Sequence, residues 1–334
     1  YAMATFILSL LFWLGLRWEQ EMNTPRGDRW LLLISFVIGL SFGVHFMGLL
    51  TIPAIGMIYY FKNTPKVTVK SFLLANVISV AILLFIFKLL LPTTLAFFGN
   101  SEVFFVNKMG LPFNSGTLIA ALCFALFFYY SLKYTQRQKW INVNTGILCV
   151  LFVLVGFSSW LMIPIRANAN TVINENSPAD ARSLLAYYNL EQYPETHLFY
   201  GPLFSDIYAG QDETEPYVDD KPKYERDYKT GKYIIVNHWE KAKINSNSKH
   251  RGFLPRLWSS EHSGNYMNFT GPLEFSIVPE YRSNEMLKSR VDEFREDIRD
   301  GVVTGDEYHK FFRSLSPYLV IEKPSFWSSL QFLF

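Results

Sequence analysis

Charge is scarce in this 334-residue chain, where Asp, Glu, Lys and Arg make up only 18%. An ordinary soluble domain carries roughly 25%. The scarcity is uneven. Residues 1–163 hold four acidic and 11 basic side chains, and residues 164–334 hold 25 and 20. The net charge of +2 gives no global attraction for nucleic acid, so no nucleic-acid partner is expected. Cysteine is almost missing. Cys123 and Cys149 both lie in apolar runs and read as small buried hydrophobes. No disulfide framework and no metal-type Cys/His spacing can be built from them, so no metal site is assigned. The chain also lacks a Walker loop, a dinucleotide fingerprint, a G-x-S-x-G and an H-E-x-x-H. These absences exclude a stapled secreted module, a disordered chain and a single soluble globule.

What is present is oil, then polarity. A membrane span needs about 17–25 mostly apolar residues. Six candidates follow: Tyr1 to Trp18, Arg29 to His45, Phe46 to Lys62, Ser71 to Leu91, Thr117 to Tyr134 and Thr145 to Ile165. The second and third abut without a polar linker, so one tilted helix plus a re-entrant segment is the alternative. Lys and Arg in short loops set orientation. Arg17, Arg26 and Arg29, then Lys62, Lys66 and Lys70, then Lys133, Arg137 and Lys139 occupy alternate loops and take nine of the 11 basic residues of the first half. Those loops are expected in the cytoplasm. The resulting fold class is an α-helical polytopic membrane bundle over 1–165, followed by a mixed α+β extracytoplasmic domain over 166–325. Residues 326–334 read as the start of a further membrane segment. Residue 1 is not Met and no basic region precedes the first apolar run, so the chain is expected to be an internal piece of a larger protein.

Some residues stand out against this pattern. Lys88 lies in an apolar run near the expected outer end of the fourth span. It either snorkels to the interface or meets an anionic group such as a lipid phosphate. Gly39-Leu40-Ser41-Phe42-Gly43 allows close helix approach, by internal packing or by dimerisation. His45, at an outer turn, is a packed and hydrogen-bonded side chain or a catalytic one. Residues 102–116 are too apolar for a free loop and are expected as an interfacial segment.

In the polar half, residues 166–180 hold Arg166, Asn168, Asn170, Asn174, Glu175 and Asn176. Amides both donate and accept, which suits sugar hydroxyls; they equally suit Asx turns and helix caps. Ser177 to Asp180 resembles a helix start running to Leu190. Tyr224 to Val236 reads as a hairpin turning at Gly231. Residues 283–299 form an amphipathic helix stopped by Gly301, and Asp306 to Leu315 a shorter one. His238-Trp239-Glu240 and Glu261-His262 are adjacent only in sequence and are weak site signals. Trp239, Trp258 and Tyr193 are aromatics available for ring stacking or for ordinary core or interfacial packing.

Several stretches resemble a known family. They are Tyr1-Ala2-Met3 leading to Leu16-Arg17-Trp18-Glu19, Gly39 to His45, Leu49 to Ala54, Phe104 to Asn107, Gly110 to Gly116, Ile165 to Asn176, Tyr188 to Tyr193 and Leu257 to Ser260. Together they resemble a family of large bacterial multi-spanning membrane proteins long known only as a domain of unknown function. It is related to transmembrane protein O-mannosyltransferases and to GT-C glycosyltransferases. The resemblance implies transfer of mannose or another hexose from a polyprenyl-phosphate carrier to an extracytoplasmic acceptor, expected to be protein Ser/Thr. It implies a bacterial inner membrane with the large domain in the periplasm. It places the catalytic carboxylate in a first outer loop upstream of this chain. The expected substrate-binding set is Lys88, Arg166, Asn168, Asn170, Asn174, Glu175, Asn176, His45 and Asn114. The membrane lipid, the lipid-linked donor and an acceptor protein are the expected partners. A non-catalytic scaffold binding an envelope partner and a transporter are the competing readings.

Overall fold

Long uncharged runs can satisfy their backbone polar groups in lipid only by coiling into helices, and the first half does so. The computed structural model describes all residues except 25, 170, 194–196, 198, 213, 238–242, 256–261 and 332–334. The chain divides into two compact units. The first is Tyr1–Gln192 with Tyr224–Ile235, and the second is Tyr193–Lys223 with Val236–Phe334. Packing therefore cuts the chain elsewhere than polarity does, since a twelve-residue hairpin from the polar half belongs to the helical unit.

The first unit contains α1 (Ala2–Glu21), α2 (Gly27–Ser41), α3 (Thr51–Asn63), α4 (Val69–Leu84), α5 (Leu91–Met109), α6 (Ser115–Arg137), α7 (Ile141–Phe157), α8 (Met162–Asn168) and α9 (Ala181–Tyr188). Among the described residues, four helices are long and apolar enough to cross a membrane: Ala2–Glu21, Val69–Met109, Ser115–Arg137 and Ile141–Asn168. They leave large apolar side chains such as Val77, Leu122 and Phe127 more than half exposed, a surface suited to lipid. The expected six spans are thus corrected in two places. The second and third are helices of 15 and 13 residues joined by a 3-10 turn at Phe46–Leu50. At 1.5 Å per residue they reach only about 20 Å. The fourth does not end at Leu91. The helix runs 41 residues to Met109, so the first part of the 102–116 segment is helical.

Pro92 explains how that long helix is built. Its ring clashes with the carbonyl one turn back, at Lys88, and it offers no N–H to it. The helix widens into a π segment at Phe85–Leu90 before Pro92, which relieves both problems. Thr93 and Thr94 donate their hydroxyls to the carbonyls of Leu89 and Leu90.

α2 and α7 run parallel. Asp28 meets Thr145 near their starts, and Gly39 meets Val153 near their ends. A Cβ at Gly39 or Gly156 would overlap the neighbouring main chain. The Gly39–Gly43 motif therefore serves packing within the chain. Leu11, Leu14, Ile34, Leu91 and Phe157 are among the buried side chains of this unit.

The strands are β1 (Tyr200–Pro202), β2 (Tyr217–Val218), β3 (Tyr224–Asp227), β4 (Lys232–Ile235), β5 (Lys243–Ile244), β6 (Arg251–Phe253), β7 (Phe275–Ile277) and β8 (Leu319–Ile321). They pair antiparallel as β1–β6, β2–β5, β3–β4 and β7–β8. The β3–β4 hairpin turns at Gly231, whose φ is +68°. The second unit adds α10 (Asp206–Ala209), α11 (Ser263–Thr270), α12 (Glu285–Arg299), α13 (Gly305–Leu315) and α14 (Phe326–Gln331). Its core gathers Phe204, Met267, Val291 and Phe312, all nearly or fully buried. The amphipathic helix expected over 283–299 is α12, and Gly301 at φ +69° follows it. α13 begins with a Thr304–Glu307 capping box.

Candidate functional site

Two features of the helical unit carry the argument: a buried polar cluster and an apolar cavity. The cluster starts at Glu102 on α5, which is fully buried. Its Oε1 accepts the Asn114 N–H at 2.5 Å, and its Oε2 accepts the N–H and hydroxyl of Thr117 at 2.8 and 2.9 Å. Those N–H groups open α6. The Asn114 side chain makes no cap bond there, and its own backbone is left-handed at φ 71°. Glu102 therefore caps α6 from a neighbouring helix, and its charge suits the helix dipole. Gly116 permits the approach, because a Cβ there would stand 2.6 Å from the Glu102 Cα.

The hairpin closes over this cap. The Tyr233 hydroxyl donates to Glu102 at 3.3 Å and accepts from Arg226 Nε at 3.1 Å. Burial first, then the Asp180 charge, pushes the Tyr233 phenol well above its ordinary range, so it stays a neutral donor. Asn107 holds the Tyr233 backbone from both sides, accepting its N–H and donating to its carbonyl, each at 2.8 Å. Arg226 Nε also lies 3.0 Å from Asp180 Oδ2, and its Nη2 donates to Asn114 Oδ1. The guanidinium stacks 5.0 Å over Phe113. Asp180 meanwhile caps α9 through the N–H groups of Arg182 and Ser183. Beside it, buried Arg182 grips Glu191 with two bonds of 3.2 and 3.0 Å. Both Glu102 oxygens are engaged, so the cluster organises helix ends rather than offering a free base.

The cavity is different in kind. It encloses about 620 Å³ between α1, α2, α3, the α4–π segment and α7. Trp18, Ile34, Ile55, Ile82 and Val153 represent its walls. Three of its hydroxyls turn back on the protein: Ser35 and Ser79 donate to Leu31 and Ala75 carbonyls at 2.9 and 2.8 Å, and Tyr60 pairs with Ser71 at 2.6 Å; Tyr59 and Thr64 also stand in the wall. The lining is therefore apolar in effect, within the size range of small-molecule sites. A second apolar cavity of about 890 Å³ lies between α5, α6 and α7 and shares Leu90, Gly146 and Val150 with the first.

The expected site residues scatter. Lys88 is exposed in the middle of the 41-residue helix, with its ammonium 5.0 Å from the Phe87 ring. Phe85, Ile86 and Leu90 of the same π segment line the cavity. His45 accepts the Met47 N–H at 3.1 Å and starts the 3-10 turn. Arg166 is exposed on α8. Asn168 donates to the Pro164 and Ala179 carbonyls, both at 2.8 Å. Asn174 donates to Ser177 at 3.0 Å. Glu175 is exposed, and Asn176 takes a left-handed backbone at φ 58°. The 166–177 stretch thus stitches its own turns. Asn114 alone of the set enters the buried cluster, and Lys88, Arg166 and Asn114 share no hydrogen bond or ion pair. Asn170, His238, Trp239, Glu240, Trp258 and Glu261 lie outside the described residues. Sequence reasoning missed Glu102, Asp180, Arg226 and Tyr233. Glu102 was findable, as the one acid between residues 29 and 163, where a lone charge at membrane depth demands partners.

Comparison with known proteins supplies two partial matches. Residues 1–68 match the protein O-mannosyl-transferase TMEM260 N-terminal domain family. Residues 194–334 match a family of unknown function (DUF8416). No curated protein and no solved structure matches the chain. The first match covers α1 to α3, one side of the 620 Å³ cavity. It points to a distant relation with a polytopic membrane family that includes protein O-mannosyl-transferases.

Proposed function

We propose that this chain is part of a membrane glycosyltransferase of GT-C type, and that the apolar cavity of its helical unit takes the prenyl chain of a polyprenyl-phosphate-linked hexose. The observation that carries the reading is a coincidence of place. The segment similar to the O-mannosyl-transferase domain is the segment that walls the cavity on α1–α3. An isoprenoid chain needs an apolar channel between helices, and the Ser35 and Ser79 hydroxyls, already bonded to carbonyls, do not disturb it. Lys88, on the same π segment as three lining residues, is the cation we assign to the phosphate. The sugar passes to an extracytoplasmic acceptor, taken to be protein Ser/Thr, in a bacterial inner membrane with the polar half in the periplasm. The acceptor hydroxyl needs a general base. Both oxygens of Glu102, the fully buried acid among the described residues, are occupied as a cap. Glu102 is therefore not proposed as that base.

The same occupied Glu102 favours the second reading, a scaffold that binds an envelope partner. One experiment separates them. The full-length protein in lipid is given a labelled polyprenyl-phosphate hexose and extracytoplasmic acceptor proteins. Label on Ser/Thr establishes the enzyme. Absence of transfer together with absence of donor binding establishes the scaffold.

A further inference from the structure

The seam between α2 and α7 holds two adjoining cavities, apart from the 620 Å³ one. At the end where the two helices begin lies a cavity of about 400 Å³, in which polar side chains stand among Leu32, Ile141 and Leu148. Asp28 from α2, Thr135 and Gln136 from α6, Lys139 from the connecting turn, and Asn144 and Thr145 from α7 line it. Next to it, sharing Leu32, an apolar groove of about 430 Å³ runs between Arg29, Leu33 and Phe36 on α2 and Phe152 and Val155 on α7. Thr145, Leu148, Phe152 and Val155 step along one helical face at spacings of three and four. From Thr145 to Val155 the rise is about 15 Å, half of a hydrocarbon core of roughly 30 Å. The far end of the seam is shut where Gly39 and Gly156 bring the two backbones together.

We infer that this seam seats one glycerophospholipid of the leaflet on the basic side of the bundle. An acyl chain lies in the groove and the headgroup fills the neighbouring cavity. Charge complementarity selects the occupant. Arg29 and Lys139 are exposed, and neither is ion-paired among the described residues. They stand at the groove mouth and in the neighbouring cavity, where a phosphodiester would sit. Lys139 adopts a left-handed backbone at φ 59°. Glycine fits that position at the end of α6 without strain. Lys139 is among the residues lining the cavity. Asp28 receives one bond, from Thr145 at 3.3 Å. Its remaining acceptor capacity asks for a donor on the headgroup, an ethanolamine ammonium or a glycerol hydroxyl, which a choline head lacks.

Native mass spectrometry of the purified full chain tests this, with phosphatidylethanolamine, phosphatidylglycerol or phosphatidylcholine added singly. The first two should be retained as one tightly held lipid in preference to the third. The double variant Arg29→Ala with Lys139→Ala should cut retention by roughly tenfold or more. Leu33→Trp, which fills the groove and leaves the charges alone, should also lower it. Asp28→Ala, which removes the acceptor, should erase the preference over phosphatidylcholine. Circular dichroism of each variant checks that the helices persist. Equal retention of all three lipids by the unaltered protein would overturn the assignment. So would retention untouched by both the double variant and Leu33→Trp.

Discussion

Arg226 shows how much one side chain can hold. It touches Asp180, Tyr233 and Asn114 and stacks on Phe113, with the Asp180 carboxylate almost fully buried. Arg226→Ala leaves that carboxylate short of a partner and should cost the helical unit about 3 kcal/mol. Arg226→Lys should recover little, because one ammonium cannot reproduce a planar fork reaching three acceptors. Denaturant unfolding in micelles reads both; a loss within about 0.5 kcal/mol, the range of an ordinary surface change, would remove Arg226 from its assigned role. His250 offers a titration test in the second unit. It is buried against Ser205, 2.9 Å away. Burial first, and Lys323 next, hold its pKa below the ordinary 6.5. The unfolded imidazole therefore takes a proton before the folded one does. Its stabilising contribution is complete above pH 6.5 and fades as pH falls through the lower folded value. Asp206, raised by burial, gives a slope of opposite sign from 3.8 upward. The difference between native protein and His250→Gln isolates the histidine. The variant should show a flatter fall in stability between about pH 6.5 and pH 5; an unchanged slope would contradict a buried neutral His250.

At the scale of elements, some of the fold is written plainly in the sequence and some is not. α12 and α13 are legible because their apolar residues recur at helical spacing and Gly301 and Thr304 mark stop and start. The hairpin is legible from its Gly231 turn, yet its destination is not. Arg226 and Tyr233 reach Asn114 and Glu102 across more than a hundred residues, and no local pattern encodes that. The break between the 15-residue α2 and the 13-residue α3 is legible, since the two expected segments meet at His45 and the 3-10 turn starts at Phe46. Their shortness is not, because an uninterrupted apolar run does not show where each helix ends. Pro92 reads as a boundary in sequence, but the π segment before it lets the helix continue. A π segment is one extra residue in a helical turn. Deleting Leu89 together with Pro92→Ala removes both the insertion and its cause, so it should be tolerated. Deleting Phe97 instead turns Glu102 about 100° away from α6 and should unfold the cap. Thermal unfolding of the two deletions in micelles decides; equal damage would contradict the bulge as the origin of the long helix.

At the scale of the molecule, the helical unit joins an apolar cavity to a well-tied set of helix ends. The site residues expected from the polar half mostly serve turns. Asn168 and Asn174 show why: the amides that suit sugars suit backbone carbonyls equally, and the carbonyls are closer. What the chain most plainly offers a substrate is the 620 Å³ space bounded by α1–α4 and α7. The most direct test is binding of a photoreactive polyprenyl-phosphate hexose to the full-length protein, followed by mapping of the labelled peptides. Ala75→Trp, which fills the cavity, is compared with Leu122→Trp on the exposed face of α6. The account predicts label on α2, α3 and α4, lost with Ala75→Trp and kept with Leu122→Trp. Label elsewhere, or label indifferent to Ala75→Trp, would contradict it.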